Sequence, residues 1–444
     1  MRVVTRRWFP LALILAGATL LLSAFALGGC AFRPLLSGVS VRPGVISPNG
    51  DGRDDVTLVQ YSIGRAANVS IYFVDAAGKR HYFRNNERRS RGDYKVYWSG
   101  VTTDPEVRPV EGGSMLVESH VLPDGDYTWV IEAVEPSGRS DKAEGKITLS
   151  GGDKTFPEVR NFTVMPQEFT PNQDGIRDRV AVSYYLMKDA QRVDVYLKPL
   201  DPPEGQELLR YPIAEDPTKS VSETGKAGYH GYDYDGGVDL GAEPPPNGDY
   251  AVYADVEDKV GNHVVVSSTL TIKEGGKPRA NIVGGEIDWQ GDVNRSVSVL
   301  LGNTFCFTAT VENDGNVPIR TSGPWPGQTY KFSENYNTLA VREDEKSWLQ
   351  QAGAWRFGVN FDSTGVDYPF RWAIGRPEDL EQRIIDGRPQ YYLLPGKRGQ
   401  TGGCIQMDAV PPVGTQFWWG GLIHEFVAVA NDAVDRISVN VGTP

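Results

Sequence analysis

The chain has 444 residues, 40% apolar and 10% aromatic, with a formal net charge of −12. That length suits two to four domains, and that apolar share belongs to folded domains, not to a disordered chain. No long basic block stands out, which argues against a nucleic-acid partner, because a polyphosphate backbone needs clustered Lys and Arg.

At the N-terminus, Arg2, Arg6 and Arg7 precede an uncharged apolar run from Leu11 to Leu27, and Gly28-Gly29-Cys30 follows. This is the pattern of a signal peptide, residues 1–29, which is set aside from fold reasoning. Without its three arginines the mature chain carries −15. Leu27-Gly28-Gly29-Cys30 resembles a bacterial lipobox. The resemblance implies that Cys30 is diacylated and becomes the first mature residue; an uncleaved membrane anchor is the alternative. Two lipid chains anchor stably where one does not, and both alternatives place the rest of the chain outside the membrane. Thr5-Arg6-Arg7-Trp8-Phe9 resembles a twin-arginine export signal, while so apolar a leader suits the general secretory route equally. Residues 30–38 form a tether that reaches at most about 30 Å, so the first domain is expected close to the bilayer.

Two later stretches repeat each other. Ser47-Pro48-Asn49-Gly50-Asp51-Gly52-Arg53-Asp54-Asp55 returns 123 residues on as Thr170-Pro171-Asn172-Gln173-Asp174-Gly175-Ile176-Arg177-Asp178. At the same offset Asp124-Gly125-Asp126-Tyr127 returns as Asn247-Gly248-Asp249-Tyr250. Between these anchors the register slips. Tyr72 to Trp98 is 26 residues against 38 from Tyr196 to Tyr234, and Trp98 to Gly125 is 27 against 14 from Tyr234 to Gly248. Insertions confined to loops are what a duplicated fold tolerates.

Within each copy apolar residues alternate: Val69, Ile71 and Phe73, then Tyr127, Trp129, Ile131 and Ala133, matched by Val193, Val195 and Leu197, then Tyr250, Val252, Ala254 and Val256. Period 2 bounded by Gly, Pro and Asp predicts half-buried strands, and no window shows a 3.6-residue stripe. Residues 39–152 and 153–276 are thus expected to form two tandem immunoglobulin-like β-sandwiches.

Trp98-Ser99-Gly100 with Leu122-Pro123-Asp124-Gly125-Asp126-Tyr127 resembles the W-x-G … P-x-G-x-Y signature of the Ig-like domain of flagellar hook-capping proteins. The second copy offers Tyr234-Asp235-Gly236 and Pro246-Asn247-Gly248-Asp249-Tyr250. The S-P-N-G-D-G-x-x-D string resembles the opening motif of Ig-like modules in gliding-motility and adhesin-like proteins. These resemblances imply structural or adhesive modules without catalytic residues; they do not imply a flagellar role.

The one candidate metal site is the repeated Asn-x-Asp-Gly-x-x-Asp string: Asn49, Asp51 and Asp55, and again Asn172, Asp174 and Asp178. Acidic side chains around a Gly turn can supply calcium with oxygen ligands. Set on the EF-hand pattern, however, the first ligand is Ser47 or Thr170 and the closing Glu is replaced by Leu58 or Ala181. The other reading is an Asx-turn that starts a strand. No further cofactor is expected.

From residue 277 to 444 the repeat stops and seven of the ten tryptophans gather. Val299 to Asn316 reads as one strand ending in a turn and resembles the G-x-x-F-x-x-x-V-x-N-x-G pattern of CARDB-like adhesion domains, which implies a third β-sandwich. Leu394-Pro395-Gly396 opens a later strand and Arg436 to Val441 closes the chain, while residues 321–393 read as a long insertion with one short helix near 377–382. Cys306 and Cys404 belong to an exported domain and fall on the polar faces of their strands. They are expected to bridge neighbouring strands of one sheet, with two free surface thiols as the alternative. Trp325, Trp418 and Trp419 are candidates for stacking on sugars, against the alternative of core packing.

No G-x-S-x-G, H-E-x-x-H, C-x-x-C or phosphate-binding glycine loop occurs, and the five histidines are scattered. A glycosidase carboxylate pair has no spacing signature to search for. The sequence therefore predicts an all-β, non-enzymatic surface lipoprotein that meets the membrane through its lipid. Its expected role is adhesive, spacer or scaffold module for an envelope partner, protein or glycan; the alternative is a carbohydrate-binding protein.

Overall fold

The computed structural model describes residues 34–349, 352–413 and 415–443. Strand makes up 53% and helix 4%, arranged as three β-sandwiches with a separate core each. The leader and Cys30 lie outside the described residues. Among the described residues no helix is long and apolar enough to cross a membrane.

The first repeat runs β1 (Leu36–Arg42), β2 (Val45–Ile46), β3 (Thr57–Ile63), β4 (Ala67–Val74), β5 (Arg80–Arg89), β6 (Gly92–Trp98), β7 (Val101–Thr102), β8 (Glu106–Val110), β9 (Gly113–Val121), β10 (Gly125–Val134) and β11 (Ser140–Leu149). A three-stranded sheet, β1-β3-β6, faces a five-stranded one, β2-β11-β10-β4-β5. Successive strand residues face opposite ways, so Val59, Tyr61 and Ile63 of β3 meet Val69, Ile71 and Phe73 of β4 in one core.

The two signature motifs converge on one corner of this core. Trp98 stacks on Phe73 at 3.4 Å and donates Nε1–H to the Val101 carbonyl at 2.8 Å. Gly100 takes φ +77°, and a Cβ there would stand 3.1 Å from Cγ of Pro48. The W-x-G glycine thus packs on the proline of the S-P-N-G string, 52 residues away. Tyr127 donates its hydroxyl to the Pro123 carbonyl at 2.7 Å, and Tyr250 does the same to Pro246 at 2.6 Å. Both are tyrosine corners that tie a strand start to the preceding loop.

The second repeat follows the same plan: β12 (Val159–Met165), β13 (Glu168–Phe169), β14 (Val180–Leu186), β15 (Arg192–Pro199), β16 (Tyr211–Pro212), β17 (Gly228–Tyr234), β18 (Gly248–Glu257) and β19 (His263–Ile272). Its small sheet is β12-β14-β17, and its large one contains β16-β15-β18-β19 with β13 on β19.

The longer loop of the first copy is where the repeats cease to be separate. Its 27-residue span is the arm β7–β9, and β9 adds antiparallel to β19 of the second repeat, with Ser119 opposite His263, Val117 opposite Val264 and Leu116 opposite Val265. Met115 and Val117 are buried in the second core. Two such side chains contribute roughly 3–6 kcal/mol of burial. Asn262, itself fully buried, accepts the Val121 amide at 2.9 Å and donates to the Asp153 carbonyl of the linker at 3.0 Å. The boundary between 152 and 153 therefore separates β9 from β19, the strand it pairs with, while both sheets and the core of the first sandwich lie within residues 35–149.

The third region runs β20 (Asn281–Trp289), β21 (Ser296–Leu300), β22 (Thr304–Glu312), β23 (Ile319–Thr321), β24 (Thr329–Lys331), α1 (Tyr336–Arg342), β25 (Trp355–Phe361), β26 (Phe370–Ala373), β27 (Glu381–Ile385), β28 (Arg388–Leu393), β29 (Arg398–Gln406), β30 (Thr415–His424) and β31 (Ala428–Gly442). The sheet β20-β22-β29-β24 packs on β21-β31-β30-β25-β23-β28-β27, with β26 on β25. Three expectations are corrected here. Val299 to Asn316 is not one strand: Gly302 takes φ +90°, and the chain crosses from one sheet to the other. Residues 321–393 are no appended insertion, since Phe357, Val359, Phe370 and Trp372 sit in the central core. The helix is not at 377–382, where one 3-10 turn leads into β27, but at α1, capped by Asn335, whose Oδ1 accepts the Asn337 and Thr338 amides. Seven residues are too short to write a stripe that periodicity would detect.

Candidate functional site

Each Asn-x-Asp-Gly-x-x-Asp string forms a closed loop just before a strand. In the first copy Asp55 accepts the amides of Asn49 (3.1 Å), Gly50 (2.7 Å) and Gly52 (2.7 Å), while Asn49 accepts Asp51 N–H at 2.9 Å and Asp51 accepts Arg53 N–H at 2.8 Å. The second copy repeats this with Asp178 on Asn172 (3.2 Å), Asp174 (3.3 Å) and Gly175 (2.5 Å), Asn172 on Asp174 N–H (3.1 Å) and Asp174 on Ile176 N–H (2.8 Å). The structure thus brings together all six residues singled out for calcium, three in each loop. In both copies their oxygens accept backbone N–H groups, as an Asx-turn requires. The Asn172 side-chain amide nitrogen is buried without a partner, a donor that no cation satisfies. Among the described residues no three His, Cys, Asp or Glu converge as a metal site.

The two loops differ in what covers them. The first is exposed at Asp51 and Gly52 and is touched by Lys259 of the second repeat, whose ammonium donates to the Gly50 carbonyl at 2.9 Å. The second is buried against the third domain. Arg320 donates Nε–H to the Asp174 carbonyl at 2.6 Å, Tyr392 OH lies 3.0 Å from Asp174 Oδ2, and His424 Nε2 lies 2.7 Å from the Gln173 carbonyl. Gly175 takes φ +83°, and a Cβ there would fall 2.0 Å from the Ala352 carbonyl oxygen, so only glycine allows this approach.

Electrostatics follow the cover. Slight burial pulls Asp55 upward, but the N–H groups of Gly50, Gly52 and Asn49 outweigh it and hold the carboxyl below its ordinary value. Burial raises Asp178 despite the same kind of amide contacts, and burial with the neighbouring Asp178 pushes Asp174 up to about 7. Burial holds His424 neutral, down to about 4.

Behind this joint lies a charged cluster that sequence reading did not single out. Arg356, fully buried, reaches Glu425 at 3.4 Å, the Trp348 carbonyl at 2.6 Å and Ser322 Oγ at 2.8 Å, and Arg371 reaches the other Glu425 oxygen at 2.6 Å. Pairing and hydrogen bonding at every turn are what make a buried charge tolerable. They fix the β30–β31 hairpin that presents His424 to the loop.

The remaining candidates lie in the third sandwich. Cys306 and Cys404 face each other on β22 and β29 and are joined as a disulfide. They line a groove of about 820 Å³ on the outer face of that sheet, with Thr308, Thr310 and Gln400 beside them. Glu286 and Asp288 of the bulged β20 and Arg376 and Asp379 complete its rim. The tryptophan reading is corrected for Trp418, which is 0% exposed and stacks on Phe361 and Phe370. Trp419 is half-buried with Arg436 over its ring at 5.5 Å, and half-buried Trp325 meets Tyr391 edge-on. The three do not form one aromatic platform.

No family model matches the chain, and no curated protein matches it. Solved structures that align over most of it include a Ca2+-stabilized adhesin with which an Antarctic bacterium binds ice (10% identity, 92% of this chain and 74% of that one, TM-score 0.24). Native E. coli alpha-2-macroglobulin aligns at 12% identity over 93% of this chain and 23% of its own length, TM-score 0.18. The FN1–FN3 domains of chicken CNTN1 align at 8% identity over 92% of this chain and 100% of theirs, TM-score 0.24. Scores of this size establish no shared domain arrangement.

Proposed function

We propose that the chain is an exported lipoprotein, anchored at Cys30, that works without catalysis as a stiff spacer and adhesive scaffold. It carries the third sandwich away from the membrane toward an envelope partner. The observation that supports this reading most is the way successive sandwiches are fastened: β9 completes the sheet of the next domain, and the Asp174 loop is clamped by the one after. Such fastening serves a chain that must hold a terminal domain at a distance. A second reading, glycan capture, is favoured by the groove beside Cys306 and Cys404, whose hydroxyl, amide and carboxylate groups suit sugar hydroxyls. Calcium plays no part in either reading.

Fatty-acid labelling of cells tests the anchor: Cys30→Ser is expected to abolish the label, and undiminished label contradicts it. Adherence of cells displaying the full chain, compared with cells displaying residues 1–276, tests the adhesive role. Equal adherence would overturn the assignment to the third domain.

A further inference from the structure

The two repeats differ in charge at one matched position. Between β4 and β6, residues 75–91 hold six Lys or Arg and two acidic residues, a net of +4. Between the equivalent strands β15 and β17, residues 200–227 hold three and six, a net of −3. Charges on the edge strand β5 would deter unwanted pairing whatever their sign, so protection of the edge does not explain one sign in a chain of −12.

Pairing divides these residues: Lys79 and Arg80 lie at the Val74 end of the β4–β5 pair, and Arg88, Arg89 and Arg91 at the other. Leu36 is opposite Ile63, Gly92 opposite Ile63, Arg89 opposite Ala67, and Asn68 and Ser140 both opposite Val134. The β3–β4, β5–β6 and β10–β11 turns therefore share one end of the sandwich. It is also the end where the described chain begins, with Gly64 N–H donating to the Leu35 carbonyl at 2.9 Å. Leu35 lies five positions after Cys30, a span of at most about 18 Å.

The acids at this end are engaged. Glu135 pairs with Arg65, Glu87 with Arg84 and Arg89, Asp93 accepts the Ser62 hydroxyl and Asp141 the Leu36 amide. Arg88, Arg91 and Arg139 are exposed, and among the described residues none has a carboxylate in ion-pair range. We propose that this end of the first sandwich docks on anionic lipid headgroups through Arg88, Arg91 and Arg139, seating the domain upright on the membrane that holds the tether. The docking rests on the anchored reading. A phosphate-rich surface within a few residues of the tether is the partner these three guanidinium groups complement.

The acylated full chain is placed in phosphatidylcholine vesicles and in vesicles with phosphatidylglycerol added, and hydrogen exchange of the Asn85–Arg91 amides is compared. Docking slows that exchange about tenfold or more only in the anionic vesicles, and the effect disappears at about 1 M salt, where the screening length falls to about 3 Å. Arg88→Glu with Arg91→Glu is expected to remove it, for neutralising two basic groups alone weakens surface attraction on the order of 25-fold. The variant's melting temperature is checked against the parent's, and if it fails to fold, Arg139→Glu replaces it. Equal exchange in both vesicles, with the chain still bound, overturns the docking and leaves the anchor standing. A chain that leaves both vesicles overturns the anchor and the docking with it. Slowing by soluble heparin but not by phosphatidylglycerol also overturns it.

Discussion

The loops at Asn49–Asp55 and Asn172–Asp178 have nearly one sequence and nearly one set of hydrogen bonds, yet their closing carboxylates are pushed in opposite directions. Asp55 is held below its ordinary value and Asp178 above it. The local turn is written in the string itself; its electrostatics are set by whether the next domain lies on top. In the first copy the next domain reaches over with one lysine, and in the second it arrives with Arg320, Tyr392 and His424. A motif read alone therefore predicts the shape of such a loop and not its role.

Breaking the fastening itself has the largest expected effect. Val117→Asp buries a carboxylate in the core of the second repeat, and it should cost about 3–5 kcal/mol. Urea unfolding followed by exchange protection should locate the loss in β18 and β19. Loss confined to β10 and β11 would mean that the arm belongs to the first domain.

Removing the closing carboxylates sharpens the loop comparison. Asp178→Ala strands several part-buried amides and is expected to cost about 3 kcal/mol, whereas Asp55→Ala, whose amides water can reach, should cost about 1 kcal/mol. Equal losses in chemical denaturation would show that cover does not matter.

The joint should respond to pH in two opposed senses, with Asp174 and Asp178 on one side and His424 on the other. Asp174 is raised from 3.8 to about 7, so the folded chain holds a proton there that the unfolded chain lacks, and its contribution to stability is lost as pH rises through about 7. His424 is lowered from 6.5 to about 4, so the unfolded chain binds the extra proton and stability is lost as pH falls from 6.5 toward about 4. Asp174→Asn removes the Asp174 response and leaves those of His424 and Asp178, so melting curves of that variant should drop more steeply than the parent's on acidification between pH 6.5 and about 4. His424→Gln should show the reverse slope. Identical slopes in both variants would contradict this balance.

The smallest effect is expected from calcium. Because the loop oxygens already accept backbone amides, millimolar calcium should leave the melting temperature of either repeat unchanged. A rise that Asp51→Ala abolishes would restore the metal reading.

Much of the fold was legible because it is written at short range. Alternation at Val69-Ile71-Phe73 and the Pro-x-Gly-x-Tyr corners specify strands and turns within ten residues of themselves. The repeat in turn carried the sandwich from one copy to the other. The arm was half visible: the 27-against-14 spacing marked an insertion, but nothing local says which sheet Met115 and Val117 enter. The buried cluster of Arg356, Arg371 and Glu425 was not visible, since its members come from three separate stretches and isolated charges read as surface. The basic turn at Arg88 to Arg91 escaped because its charge means little until compared with the acidic counterpart in the second copy. Trp418 shows the converse error, a conspicuous residue type that packing claims for the core.

Fastening by β9 and by the clamp on the Asp174 loop should hold the three sandwiches as one stiff body. Single-molecule energy transfer between dyes at Ala77→Cys in the first domain and Glu378→Cys in the third, both exposed positions, tests it most directly. A stiff chain gives one narrow efficiency peak that broadens when Val117→Asp is added. A broad distribution in the parent chain, unchanged by that substitution, would contradict the account.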